Sequence, residues 1–138
     1  MINAAAVQNV LLIDDNETDN FVHKRIIELT GFAEEVVVRD SVKKAMEYLE
    51  SCKNKNQGFP DLIFLDINMP AADGFVFLEK FEETITSEVN KCKIVVLSSS
   101  ESTKDISKMI GNKFVKEYIH KPLTEESLER LKNTLIVK

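Results

Sequence analysis

The chain is expected to fold as an α/β protein, a five-stranded parallel sheet in the order 2-1-3-4-5, doubly wound with helices on both faces. Two features of the sequence carry this expectation. Short runs of β-branched or otherwise strongly apolar residues recur without polar alternation, as strands buried on both faces of a parallel sheet require. Between them lie segments whose apolar residues repeat at helical spacing, giving each a stripe to lay on the sheet. Right-handed crossovers between parallel strands then distribute the helices over both faces.

The elements follow in order. Val10–Ile13 is the first strand. Val22, Ile26 and Leu29 mark the first helix, which Gly31 ends by taking the left-handed conformation. Val36–Val38 is the second strand, followed by a helix whose stripe is Val42, Ala45, Met46 and Leu49. Leu62–Leu65 is the third strand, and Phe77, Leu78 and Phe81 mark the third helix. Ile94–Leu97 is the fourth strand. Ile106, Met109 and Ile110 mark a short fourth helix, with Ser102 and Asp105 placed to cap its start and Gly111 to end it as Gly31 ends the first. Tyr118–Ile119 is the fifth strand, and Leu128, Leu131 and Leu135 give the last helix its stripe.

The 138 residues suit one domain spanning 1–138, large enough to bury about two thirds of its unfolded surface. A net charge of −5 and no basic stripe argue against nucleic-acid binding, where phosphate contacts need a cationic face, and against anionic membrane surfaces. No apolar run approaches the ~20 residues that cross a bilayer, and MINAAAVQNV lacks the basic start of a secretory signal. Cys52 and Cys92 do not make a CxxC pair; two thiols in a reducing cytoplasm fit better than a disulfide.

In an open sheet of this order, ligands bind at the carboxyl ends of the first and third strands. Asp14 and Asp15 directly follow the first strand and Asp66 directly follows the third. Singly, an Asp after a strand often caps the next helix. Three at one crevice repel one another and raise one another's pKa, which a cation offsets. A hard divalent ion, Mg²⁺ above all, takes oxygen ligands from one or two carboxylates plus a phosphate. Zinc fits poorly: no Cys pair or His cluster is present, and His23 and His120 read as ordinary polar residues. Ser98 ends the fourth strand and Lys121 the fifth, bringing a hydroxyl and an ammonium to the same rim. A carboxylate nucleophile, a cation, a hydroxyl and an ammonium together form a site for phosphoryl transfer.

The set Asp14-Asp15, Leu62 through Pro70 (LIFLDINMP), Asp73-Gly74, Leu97-Ser98-Ser99 and Lys121-Pro122 resembles the receiver domain of two-component response regulators, over nearly the whole chain from about Asn9 to the last helix. The resemblance implies a flavodoxin-like (βα)5 fold of the stand-alone chemotaxis-regulator type, without an output domain. It implies that Asp66 accepts a phosphoryl group from a phosphohistidine or a small acyl phosphate. Asp15, Asp66 and the backbone carbonyl of Asn68 would ligate Mg²⁺, or Mn²⁺ in its place, with Asp14 helping directly or through water. Lys121 would bind the phosphoryl oxygens. Ser98 would bond one of them after transfer, and Tyr118 would be the partner aromatic of that switch. It also implies a cis peptide at Lys121–Pro122. The implied partners are a histidine kinase or histidine phosphotransfer protein, and a downstream protein docking on the face of the fourth helix, fifth strand and fifth helix. Such a cytoplasmic signalling protein catalyses its own phosphorylation and dephosphorylation and is not an enzyme acting on a separate substrate. Ser98 where the family most often has Thr, Ser99 for Ala or Gly, and Ala72 for Met or Leu remove no chemical group.

Three other readings share parts of this pattern. A haloacid dehalogenase-like phosphatase needs a second acid two residues after the nucleophile, where Asn68 stands. A flavodoxin needs a hydroxyl- and Gly-rich loop after the first strand, where Asp14-Asp15-Asn16-Glu17 would repel flavin phosphate. A pseudo-receiver binding partners without phosphorylation has no need of all five site residues.

Overall fold

The computed structural model describes residues 5–55, 57–69, 73–84, 92–100 and 102–136; Pro70 and Ala72 of the sequence pattern lie outside these. Strands β1 (Val7–Ile13), β2 (Ala33–Arg39), β3 (Leu62–Leu65), β4 (Lys93–Ser98) and β5 (Val115–His120) alternate with helices α1 (Glu17–Thr30), α2 (Val42–Lys55), α3 (Gly74–Thr84), α4 (Thr103–Ile110) and α5 (Glu125–Leu131). A π-helical turn, Lys132–Ile136, continues α5. The strands are parallel and ordered β2-β1-β3-β4-β5, the predicted topology. No helix among the described residues is long and apolar enough to cross a membrane.

Strand alternation divides the core in two. Leu11, Ile13, Ile63, Leu65, Ile94 and Val96 pack with residues of α2, α3 and α4. Val10, Leu12, Leu62, Phe64, Val95 and Leu97 pack on the other face with Ile27 of α1 and Leu128 and Leu131 of α5. Both faces of the central strands are therefore dry, which is why they read as unbroken apolar runs. Each fully buried Leu, Ile or Phe here contributes about 1.5–3 kcal/mol. Cys52 and Cys92 are buried in this core and not joined in a disulfide.

Helices α1 and α4 depart from their expected apolar stripes, Ile110 of α4 being 58% exposed and Met109 alone fully buried there. Val42, Ala45, Met46 and Leu49 of α2, and Phe77, Leu78 and Phe81 of α3, are buried as expected. In α1 the inward residues are Asn20, His23 and Ile27, whereas Val22 is 45% exposed and Leu29 71%. The two triplets have the same helical spacing but lie on different faces of the helix. Of the expected stripe only Ile26 packs against the core, half-buried; hydropathy missed the rest of the inward face because Asn20 and His23 are polar. Phe21, 69% exposed, joins Val22 and Leu29 on the solvent side.

Helix ends follow local chemistry. Asn16 caps α1, its Oδ1 accepting from the Asp19 N–H at 2.9 Å, and Gly31 closes it in the left-handed region at φ 69°. Ser102 caps α4 by accepting from the Asp105 N–H, as its sequence suggested. Gly111 does not end α4 as Gly31 ends α1: its φ is −72°, in the right-handed region. There the chain turns on into β5 through Asn112, whose N–H donates to the Met109 carbonyl and whose Oδ1 accepts from the Phe114 N–H, so no left-handed residue is required. Thr124 and Ser127 form a reciprocal capping box at the start of α5.

Candidate functional site

Register brings the strand ends together. Ile13 pairs with Leu65, so the next residues, Asp14 and Asp66, emerge side by side; the Asp66 N–H donates to the Ile13 carbonyl at 3.0 Å. Ser98 pairs with His120, and the Lys121 N–H donates to the Ser98 carbonyl at 2.9 Å. The Lys121–Pro122 peptide is cis. Carboxylate oxygens of Asp14, Asp15 and Asp66 all lie within 4.8 Å of one another, Asp14 and Asp66 buried and Asp15 exposed.

Lys121 Nζ reaches into this cluster. It lies 2.7 Å from Asp14 Oδ2, 2.7 Å from Asp19 Oδ2 and 3.8 Å from Asp66 Oδ1. Burial opposes the charge on Lys121, but its hydrogen bonds to Asp14 and Asp19, with the nearby charges of Asp14 and Asp66, outweigh burial and raise its pKa. Asp66 is pushed up to about 6, first by burial and then by the Asp14 charge, with Asp15 adding to it; Lys121 and a hydrogen bond from the Ile67 backbone pull the other way. Burial, and next the Lys121 charge, lower the pKa of His23, while Asp19 and Asp14 oppose them.

Asp14 is held by two further hydrogen bonds: Oδ1 accepts from the Asn16 N–H at 2.9 Å and its backbone carbonyl from Asn20 Nδ2 at 2.7 Å, which leaves each carboxylate oxygen a lone pair for a cation or water. The loop after β3 is held close by Gly74, whose N–H donates to the Ile67 carbonyl at 2.8 Å; a Cβ there would meet the Asp66 carbonyl oxygen at 2.8 Å. Asp73 Oδ1 accepts from the N–H groups of Phe75 and Val76 and so starts α3. Asn68 is exposed on this loop.

On the opposite side of the rim, Ser98 is fully buried and its Oγ accepts from the Ser100 N–H at 3.1 Å. Tyr118 is half-buried against the α4 side of the core and donates its hydroxyl to the Ser100 carbonyl at 2.9 Å. Ser98 and Tyr118 therefore meet on one residue, Ser100, which also donates through its own hydroxyl to Asp105 of α4.

Every site side chain singled out in the sequence thus lies at this end of the sheet or on the loops beside it. Two participants were not anticipated. Asp19 shares Lys121 although 102 positions separate them, and its signal was only its place one turn into α1. His23 is buried beneath the crevice, bordering one small cavity with Asp14, Asn20 and Asp66.

The donor set suits a hard cation. It is all oxygen, closely spaced, and carries three carboxylates against the one ammonium, Lys121, that reaches it among the described residues.

Comparison with known proteins agrees with this geometry. Residues 10–132 match the model of the response regulator receiver domain. The structure of a two-component response regulator from Cytophaga hutchinsonii superposes with a TM-score of 0.85 at 33% identity, covering 91% of this chain and 94% of that one. The phosphorylated cyanobacterial phytochrome response regulator RcpA superposes with a TM-score of 0.71 at 28% identity over 91% of this chain and 88% of that one. In sequence, the two-component response regulator ORR1 of Oryza sativa subsp. japonica is 29% identical over 135 residues, 96% of this chain but 57% of the length of ORR1. With the strand order, the carboxylate cluster and the matched residues in agreement, the chain belongs to the response regulator receiver domain family of two-component systems.

Proposed function

We propose that Asp66 accepts a phosphoryl group from the phosphohistidine of a histidine kinase or histidine phosphotransfer protein. The observation that carries this reading is the buried Asp66 carboxylate at a strand end, beside Asp14 and Asp15 and within reach of Lys121. An Asp66 oxygen attacks phosphorus and the O–P bond forms as the P–N bond of the donor breaks. The electron pair returns to the imidazole nitrogen, which takes up a proton. Water later attacks the same phosphorus, releasing inorganic phosphate and restoring Asp66. The protein is thus a self-processing phosphoacceptor, for which positioning and charge balance supply most of the rate.

Asp15, Asp66 and the Asn68 carbonyl, with Asp14 directly or through water, would hold Mg²⁺ or Mn²⁺. Bound there, the cation would offset charge on the transferring oxygens. Lys121 then donates to a phosphoryl oxygen. Ser98 Oγ, whose oxygen is occupied by the Ser100 N–H, still carries a proton to donate to another. That pull on Ser98 acts on Ser100 and, through it, on Tyr118 and Asp105. The signal accordingly leaves by the α4–β5–α5 face to a downstream protein. A phosphorylation-independent binding module would have no use for a cluster of this charge.

Incubation with acetyl phosphate and Mg²⁺ should add one phosphoryl group to the wild type, read by intact-protein mass, and none when EDTA is present. Equal uptake with and without EDTA would contradict the cation-dependent mechanism, and no uptake by the wild type would contradict the phosphoacceptor role.

A further inference from the structure

Lys121 is the one ammonium that reaches the carboxylates at the crevice among the described residues, and the structure shows how it is shared. Its Nζ stands 2.7 Å from oxygens of Asp14 and Asp19 but 3.8 Å from Asp66, so it is drawn toward the α1 side and away from the strand end where phosphorus would sit. Asp14 is fixed by two further hydrogen bonds and is buried. Asp19 is different. Its side chain is 34% exposed, and its backbone N–H is already satisfied by the Asn16 cap. Its carboxylate makes no hydrogen bond to the α1 backbone and has Lys121 as its hydrogen-bond partner.

We propose that Asp19 is a positioning residue that competes with the phosphoryl group for the Lys121 ammonium, and so sets how readily Asp66 is loaded. The inference rests on the phosphoacceptor reading of Asp66. In the transfer step the Asp66 O–P bond forms as the P–O bond of an acyl phosphate breaks and the carboxylate leaves. The dianionic phosphoryl oxygens need the N–H donors of Lys121, two of which point at Asp14 and Asp19. Removing the Asp19 charge releases one of them without touching a carboxylate of the three-residue cluster. The α1 cap is unaffected, because Asn16 bonds the backbone of residue 19 and not its side chain.

The test measures the phosphorylation rate against acetyl phosphate concentration at saturating Mg²⁺ for the wild type, Asp19→Asn and Asp19→Glu, and for Asp19→Asn in a Lys121→Met background. Loss of this partly exposed ion pair in Asp19→Asn is expected to lower the half-saturating donor concentration by about two- to fivefold, with the maximal rate little changed. Asp19→Glu, which keeps the charge, should restore the wild-type value. In the Lys121→Met background Asp19→Asn should have no effect. Binding of beryllofluoride with Mg²⁺, followed by NMR, should tighten in the same proportion, which a purely structural role for Asp19 would not produce. No tightening in Asp19→Asn, or tightening that persists without Lys121, would overturn the proposal. A wild type that accepts no phosphoryl group would overturn the phosphoacceptor reading itself, and this inference with it.

Discussion

Asp66→Asn should stabilise the cation-free protein, and by an amount that depends on pH. The Asp66 carboxyl is held at about 6 in the fold against an ordinary value of 3.8, burial and the Asp14 charge being the main causes. At about 1.4 kcal/mol per tenfold change in acidity, that corresponds to up to about 3 kcal/mol. The sign follows from proton uptake. Between these two values the folded state holds a proton that the unfolded chain has released, so stability falls as pH rises through the window. The cost is absent below about pH 4 and complete above about pH 6 to 7. A neutral amide of the same shape escapes it. With chelator present, Asp66→Asn should therefore exceed the wild type by about 1.5 kcal/mol at pH 5 and about 3 kcal/mol at pH 8, or roughly 10 °C in Tm at the higher pH. Urea unfolding at both pH values, followed by far-UV circular dichroism, measures the difference. Saturating Mg²⁺ should narrow the gap, because it binds the folded wild type and stabilises it by mass action. A variant less stable than the wild type at pH 8, or an advantage equal at both pH values, would refute the reasoning.

Other substitutions separate the site from its scaffold. Gly74→Ala places a Cβ 2.8 Å from the Asp66 carbonyl oxygen and should cost about 1–3 kcal/mol, with slower phosphorylation, read by denaturation and intact mass. Asp61→Ala removes the acceptor of the Gln8 and Asn9 N–H groups and should cost about 1 kcal/mol while leaving the phosphorylation rate unchanged. Tyr118→Phe removes the bond to the Ser100 carbonyl, with an expected loss of about 1 kcal/mol. Ser98→Ala should still take phosphate on Asp66 but lose the phosphorylation-induced NMR shifts across Ile106–Ile110 and Tyr118; wild-type-like shifts would exclude the Ser98 route.

The parts of the fold readable from sequence are those where one residue type serves one purpose. Ile63 and Phe64 are buried on opposite faces of β3, so an unbroken apolar run could mean little else, and the strand-end rule then placed Asp14, Asp15 and Asp66 together. The inward face of α1 was not readable, because next to the crevice Asn20 and His23 do the work of core residues while Phe21 and Leu29 face solvent. The end of α4 misled for a related reason. A glycine after a helix signals a left-handed cap only where the chain must reverse sharply, and at Gly111 the hydrogen bonds of Asn112 carry the turn instead. Asp19 was invisible as a site residue because its meaning comes from Lys121, which only the β5 register and the α1 cap bring beside it.

The most direct test is to locate the phosphoryl group. After acetyl phosphate and Mg²⁺, borohydride reduces an aspartyl phosphate to a homoserine residue, which peptide mass spectrometry assigns to a position. Reduction at Asp66 alone in the wild type, and none anywhere in Asp66→Asn, is the expected result. Modification at Asp14, Asp15 or Asp19, or undiminished labelling of Asp66→Asn, would contradict the account.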